Sequence, residues 1–260
     1  MLANSLNKSK GLWQSLTQPL HWRMLIALPA WVFTSFILAQ LVVLAGIWAA
    51  TQLSLPIPAS DDVVFNTVLA AVVYLLTLLI VIGVPWLVRR KVTTKQDIGL
   101  TRLPSWMDIV LAPAGAVVYL LFAAVLLSVF AAFFPHIDLQ QTQDVGFQNL
   151  ATKSQYLLAF ITLVILAPLA EEVLFRGYLY GKLRKHVPLW LAMLVTSALF
   201  GAVHGQWNVA LDTFALSIVM CSLREVTGSI WSGVLLHMIK NSVAFYFLFI
   251  NPSALGTLGG

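Results

Sequence analysis

The sequence has very little charge. Asp, Glu, Lys and Arg make up only 10% of its 260 residues, whereas hydrophobic residues make up 60%. Since a soluble globular chain carries about 25% charged residues, the composition excludes an ordinary soluble protein and indicates an integral membrane protein. The chain also has a single cysteine, Cys221. This excludes an intramolecular disulfide framework and a multi-cysteine metal site, and we interpret Cys221 as a packing residue because the sequence offers no basic partner to lower its pKa.

Long apolar runs account for most of the chain. Its length is enough for about seven membrane helices of ~20 residues each, which predicts an all-α, polytopic transmembrane helical bundle. We place these helices at residues 24–50, 63–88, 108–134, 156–180, 188–204, 207–223 and 229–249. The predicted organisation is a cytoplasmic N-terminal tail (1–23), three accessory transmembrane helices with their loops (24–150), a helical core that holds the candidate site (151–250) and a C-terminal tail (251–260).

Lysine and arginine mark alternate connections between these helices. They collect in the N-terminal tail (Lys8, Lys10), in the 89–102 loop, in the 182–185 turn and at Arg224, whereas the 51–62, 135–155 and 205–208 connections carry almost none. The positive-inside rule therefore predicts a multi-pass protein of the plasma (inner) membrane with a cytoplasmic N-terminus. We interpret the basic residues as topology signals, so no nucleic-acid partner is expected.

The fourth predicted helix contains two adjacent carboxylates and an arginine, Glu171, Glu172 and Arg176. A charged side chain in hydrocarbon costs about 2.5–3.5 kcal/mol on insertion scales, so these groups must pair or face a wet cavity. Glu172 and Arg176 are four residues apart and can pair on one helix face. Glu171 lies about 100° around the helix and is left for another role. Pro168 lacks an N–H group and predicts a kink just before the acids.

Other predicted helices supply a few more polar groups. His204 ends the fifth helix, and His237 and Asn241 are four apart on the seventh, where they share a face. A glutamate and a histidine can take a proton from one water, while a second histidine and an amide can donate hydrogen bonds to an oxyanion. If these groups converge, they predict hydrolysis without a serine or cysteine nucleophile.

Two charged residues lie outside this set. We interpret Asp212, an acid on the sixth helix with no motif around it, as structural. Lys240 adjoins Asn241 and is interpreted either as a substrate contact or as a side chain that extends toward the membrane surface.

Three motifs, Glu171-Glu172-x-x-x-Arg176, Phe200-x-x-x-His204 and His237-x-x-x-Asn241, occur in this order. The pattern resembles the CAAX-protease and bacteriocin-processing family of intramembrane proteases, which includes the type II prenyl-protein endopeptidases. The resemblance covers about residues 155–250. It implies that Glu171 and His204 activate a water, that His237 and Asn241 form the oxyanion hole, and that Glu172, Arg176 and Phe200 support them. It also implies a membrane-associated peptide substrate, of the prenylated type or a bacteriocin or pheromone precursor, and a cavity that opens toward the cytoplasm.

A metal-dependent alternative stays open. Glu171, His204 and His237 could supply three ligands to Zn²⁺, with water as the fourth. The sequence has no His-Glu-x-x-His motif, asparagine is an unusual zinc ligand, and Arg176 disfavours a nearby cation. We therefore favour a mechanism without a metal cofactor.

Two other function classes remain. One is a catalytically silent immunity or scaffold protein that binds a partner through the same cavity. The other is a proton-coupled transporter, which the absence of a visible internal repeat disfavours.

The depth of His204 is a further open point. A simple count places it near the outer end of its helix, whereas Glu171 and His237 lie toward the cytoplasmic half. Either the fifth helix starts deeper in the membrane, or residues 205–208 form a break inside it.

Overall fold

The computed structural model describes residues 19–59, 62–139, 141, 147 and 150–253. Within these ranges all regular structure is helical, which confirms the predicted all-α bundle. The seven helices are α1 (Trp22–Gln52), α2 (Val63–Arg89), α3 (Trp106–Phe133), α4 (Lys153–Leu183), α5 (Leu189–Ala202), α6 (Trp207–Thr227) and α7 (Trp231–Ile250). Most of the predicted N-terminal tail (residues 1–18, with Lys8 and Lys10) and of the C-terminal tail (254–260) lies outside the described residues.

Five of the helices, α1, α2, α3, α4 and α7, are long and apolar enough to cross a membrane, so the protein is a multi-pass membrane protein. Helix α5 differs from the prediction because it has only 14 residues. At 1.5 Å per residue it is about 21 Å long, which is short of the ~30 Å hydrocarbon core. Helix α6 packs against α3, α5 and α7, and its Asp212 and Arg224 are partly buried.

The predicted basic connections meet at one end of the bundle. Lys185 forms an ion pair with Asp97, and the guanidinium of Arg224 donates to the Asp97 carbonyl at 3.1 Å. The amide of His21, just before α1, donates to the carbonyl of His186 at 3.1 Å. These contacts bring together the 89–102 loop, the 182–185 turn, Arg224 and the start of α1.

Helix α4 contains two π-helical stretches. Ile161–Leu166 and Val173–Tyr180 are π-helical, and the short segment Ala167–Glu172 between them is α-helical. The predicted disturbance near Pro168 thus takes the form of a π-helical stretch that ends immediately before it. Such stretches bend helices and recur at functional sites. They also rotate the residues that follow around the helix axis, and here these residues include the two acids.

The loop between α2 and α3 packs directly on the C-terminal part of α4. A Cβ atom at Gly177 would lie 2.9 Å from the carbonyl oxygen of Ile98, and one at Gly181 would overlap the carbonyl oxygen of Asp97. Glycine is therefore required on this face because the backbone of the loop occupies the space of a side chain.

We expect Gly181→Ala to lower the midpoint of thermal unfolding by several degrees, since overpacking against backbone typically costs about 1–3 kcal/mol. Gly83→Ala is the matched control, because a Cβ there meets no atom within 4 Å and Gly→Ala inside a helix ordinarily stabilises. Both variants would be compared in detergent by thermal unfolding. Equal midpoints would show that the packing of the loop against α4 does not require glycine at position 181.

Candidate active site

The four residues predicted to be catalytic line one cavity of about 350 Å³. Glu171 comes from α4, His204 from the turn after α5, and His237 and Asn241 from α7. Helices α1 and α2 close the cavity from the other side with Phe33, Phe36 and Tyr74, among others. The structure therefore brings together groups that are up to 70 residues apart in the sequence, as 171 and 241 are.

Glu171 is held in place by α2. Its Oε1 accepts a hydrogen bond of 2.5 Å from the hydroxyl of Tyr74, and its Oε2 lies 3.9 Å from Nε2 of His237. The side chain keeps 16% of its surface exposed. One carboxylate oxygen is thus fixed while the other is directed toward the cavity. Tyr74 was not predicted from the sequence, where it is one of several polar side chains in a mostly apolar run.

The two histidines are oriented by their Nδ1 atoms. Nδ1 of His204 lies 2.7 Å from the carbonyl oxygen of Phe200, which can only accept, so Nδ1 carries the hydrogen and the lone pair is on Nε2. Nδ1 of His237 lies 3.2 Å from Oε1 of Glu172 and donates to that carboxylate. In both residues Nε2 is the ring nitrogen left for chemistry, and second partners of this kind commonly fix the tautomer of a functional histidine.

The predicted pair of Glu172 and Arg176 forms at 3.1 Å, and neither side chain has any exposed surface. The guanidinium carbon of Arg176 lies 4.1 Å from the centre of the Phe200 ring, a cation–π contact that gains strength when it is desolvated. Helix α7 approaches closely here, since a Cβ atom at Gly233 would lie 3.0 Å from Oε2 of Glu172. The ion pair therefore stands directly behind His237.

Phe200 contacts both the ion pair and the two histidines. In addition to its contact with the Arg176 guanidinium, its ring makes edge-to-face contacts with Phe175, His204 and His237 at centroid distances of 4.9, 5.0 and 5.9 Å. A fully buried ring thus sets the positions of both histidines. This explains the Phe-x-x-x-His spacing physically, because residues four apart on a helix share a face.

Asn241 has a structural partner. In the π-helical stretch the amide of Ala167 donates to the carbonyl of Thr162, so in the same register residue 168 would donate to Leu163. That residue is Pro168, which has no N–H group. The side-chain amide of Asn241 supplies the missing donor, at 2.8 Å from the Leu163 carbonyl oxygen. One of its two hydrogens is thereby used, and the other is available on the cavity side.

Lys240 and Asp212 pair with each other, at 3.4 Å. The hydroxyl of Tyr119 in α3 donates to the other oxygen of Asp212, so the three residues connect α3, α6 and α7. The arrangement agrees with the structural interpretation of Asp212. Lys240 has its carboxylate partner inside the bundle and also lines the cavity.

His204 lies in a turn. Helix α5 ends at Ala202, and the chain reverses through a turn that contains Gly205 at a φ of +77°. His204 in this turn contacts Phe200 and lines the cavity. The depth of His204 in a membrane stays a prediction from the sequence.

The described residues do not include any three His, Cys, Asp or Glu side chains grouped so that they could hold one metal ion. The possible zinc ligands Glu171, His204 and His237 share the cavity but do not form such a group. As arranged, they do not fit the three-ligand zinc site considered from the sequence.

The similarity to known proteins lies mainly in the part of the chain that contains this site. Residues 153–243 match the family described as type II CAAX prenyl endopeptidase Rce1-like. This segment is similar to the Rce1-like family. It contains α4, α5, α6, most of α7 and all four candidate catalytic residues.

Three curated relatives resemble the chain over 85 to 133 residues. An uncharacterized 24.3 kDa protein of Escherichia coli is 35% identical over 96 residues, which cover 35% of this chain and 44% of that protein. YdiL of Bacillus subtilis, whose name marks it as a candidate membrane peptidase, is 29% identical over 85 residues (33% and 35%). The membrane-embedded CAAX protease MroQ of Staphylococcus aureus is 25% identical over 133 residues (46% and 54%).

The chain thus spans about half, or less, of the length of the relatives it matches. No solved structure matches the chain. The similarity to the Rce1-like family therefore rests on the sequence of the 153–243 segment, whereas α1, α2 and the cavity wall they form are known from the structure of this chain.

We expect Asn241→Leu to destabilise the protein because it leaves the Leu163 carbonyl without a partner, and an unsatisfied buried polar group costs about 1–3 kcal/mol. Pro168→Ala restores a backbone N–H at the position that lacks one. The cost of Asn241→Leu should therefore be smaller in a Pro168→Ala background, and a double-mutant cycle of thermal or denaturant unfolding measures this coupling. Additive effects would mean that Asn241 does not replace the donor that proline lacks.

Proposed function

We propose that the protein is an intramembrane endopeptidase in which Glu171 and His204 activate a water molecule that hydrolyses a peptide bond. The observation that carries this proposal is the convergence of Glu171, His204, His237 and Asn241 on one cavity inside the Rce1-like segment. These are the donors and acceptors that water activation and oxyanion stabilisation require. In this proposal the side chains of the protein carry out the reaction without a metal or other cofactor.

In the first step, a water is held between Oε2 of Glu171 and Nε2 of His204. Tyr74 already occupies Oε1 of Glu171, so the basic oxygen is the one directed into the cavity. As the water loses a proton to this pair, its oxygen bonds to the carbonyl carbon of the substrate and the C=O π bond opens to an oxyanion. The same proton is then given to the amide nitrogen as the C–N bond breaks, which yields a new carboxyl end and a new amino end.

The oxyanion would receive hydrogen bonds from His237 and Asn241. Asn241 has its second amide hydrogen for this purpose, because the first binds Leu163. This role requires a doubly protonated His237 ring, because Nδ1 donates to Glu172 and Nε2 must also carry a hydrogen to bind the oxyanion. Glu172, paired with Arg176, is thus a positioning residue that keeps the ring turned toward the cavity, and preorganised donors of this kind contribute strongly in a low-dielectric site.

The cavity favours a substrate with an apolar group near the cleaved bond. Beyond the polar residues its wall is formed by side chains such as Phe33, Phe36, Phe245, Leu248 and Phe249. A membrane-associated peptide fits this wall, either a prenylated C-terminal tail or a bacteriocin or pheromone precursor. The name of MroQ, a membrane-embedded CAAX protease, supports the first of these two substrates. We further propose that the N-terminus and the basic end face the cytoplasm, as the positive-inside rule predicts.

The test compares new N-termini in membranes of cells that carry wild type, Glu171→Gln or no copy of the gene, with and without a zinc chelator. We expect cleavage products that disappear in Glu171→Gln and persist with chelator, and these products also identify the substrate. Products lost to chelator would instead indicate a metal-dependent reaction. Identical termini in wild type and Glu171→Gln would contradict the protease proposal and favour a catalytically silent immunity or scaffold protein.

Tyr74→Phe tests whether α2 positions Glu171. A hydrogen bond to a charged group is worth about 1.5–3 kcal/mol, so we expect kcat on the identified substrate to fall about 10-fold or more while KM changes little. Tyr156→Phe is the matched control, since Tyr156 lies on α4 but does not line the cavity. An unchanged kcat in Tyr74→Phe would show that Glu171 is aligned without the hydroxyl.

A further inference from the structure

A second cavity, of about 520 Å³, lies at the basic end of the bundle between α1, α2 and α4. It is separate from the candidate active site, although the two adjoin. On α1, Trp31 lines this second cavity while Val32 and Phe33 line the first, and on α4 the same holds for Tyr178 and Phe175. None of the proposed catalytic residues reaches it.

One side of this cavity is basic. Its wall includes Arg89 at the end of α2, Lys91 in the following loop, and Lys182 near the end of α4. Lys185 is also there, but it pairs with Asp97, the one acid among the described residues of the wall. The side chain of Lys185 and the amide of Thr94 hold the pKa of Asp97 well below its usual range. Asp97 therefore stays ionised and balances Lys185, while the other three cations give the wall a net positive charge.

The opposite side is apolar and belongs to membrane-spanning helices. Met24, Ala27 and Leu28 come from the first turns of α1, and Val84 and Val88 from the last turns of α2. Trp31, whose indole N–H donates to the carbonyl of Val81 at 3.2 Å, lies deeper along α1. A ligand that satisfies both sides must have an anionic end at the membrane surface and an apolar part that extends into the hydrocarbon.

We propose that this cavity is a binding site for an anionic phospholipid. The headgroup phosphate binds Arg89, Lys91 and Lys182, and an acyl chain lies in the crevice between α1 and α2. Basic pockets between transmembrane helices bind anionic headgroups, and charge-assisted hydrogen bonds from Arg and Lys to phosphate are strong. A small soluble anion would leave the apolar half empty, and a zwitterionic lipid would leave the positive charge unbalanced.

This site has a structural consequence for α4. Lys182 is on α4, as Glu171 and Glu172 are. Arg89 is the last residue of α2, which carries Tyr74, and Lys91 lies in the loop that follows α2. A lipid bound across these elements ties α1, α2 and α4 together at one end of the bundle. Because a ligand that binds only the folded state stabilises it, occupancy should be visible as a rise in the unfolding midpoint.

The test uses the full chain in a neutral detergent, with dioleoyl phosphatidylglycerol and dioleoyl phosphatidylcholine as probes. We expect phosphatidylglycerol to raise the midpoint of thermal unfolding and to remain bound in native mass spectrometry, and phosphatidylcholine to do neither. In Arg89→Gln/Lys91→Gln/Lys182→Gln the apparent affinity should fall at least about 10-fold. The control with the same charge change, Arg23→Gln/Lys95→Gln/Lys153→Gln, alters basic residues that do not line the cavity and should retain binding.

A second pair of variants separates a seated lipid from attraction to surface charge. Ala27→Phe fills the apolar crevice without changing any charge and should weaken phosphatidylglycerol binding, whereas Ala30→Phe, one turn further along α1 and outside the cavity, should not. Three outcomes would overturn the proposal. These are equal binding of the two lipids, unchanged binding in Ala27→Phe, and stabilisation by glycerol 3-phosphate equal to that by the lipid. None of these readouts depends on proteolytic activity.

Discussion

The structure depends on the burial of one arginine. The guanidinium of Arg176 has no exposed surface although it lies on a membrane-spanning helix, and an unpaired charge there would be too costly to keep. Its surroundings meet this constraint from three helices. Glu172 of α4 supplies the opposite charge, the Phe200 ring of α5 its face, and the Met220 sulfur of α6 a contact of 3.8 Å. Two of these three residues also position the histidines, because Glu172 binds His237 and Phe200 packs against both rings.

A second constraint comes from the backbone of α4. In hydrocarbon every carbonyl needs a partner, because water is absent. Pro168, which follows a π-helical stretch, lacks one donor, and the side chain of Asn241 replaces it from α7. A polar side chain is thereby fixed at the cavity that Glu171 also lines. Irregular backbone is tolerated at membrane depth where it is buried in protein or lines a cavity.

The sequence predicted the helices and the motif residues because both are local signals: long apolar runs, and rare polar groups at helical spacing. The convergence of Glu171, His204, His237 and Asn241 also followed, since polar groups in a bilayer must find one another or water. Tyr74 and the Lys240–Asp212 pair were not predictable in this way. Their roles depend on which helices are neighbours, which apolar runs without a polar face do not reveal. The short α5 was missed for a related reason, because apolar residues continue through its last turn and into the bend at Gly205.

Residues 24–150, described from the sequence as accessory, form much of both cavities. Helix α2 binds Glu171 through Tyr74, and α3 binds Asp212 through Tyr119. On α1 the adjacent residues Trp31 and Val32 line different cavities, so this helix separates the two. The Rce1-like segment alone would therefore expose one oxygen of Glu171 that the whole chain keeps bonded. Its polar groups carry the proposed chemistry, whereas the first helices determine how these groups are aligned and what apolar surface lies beside them.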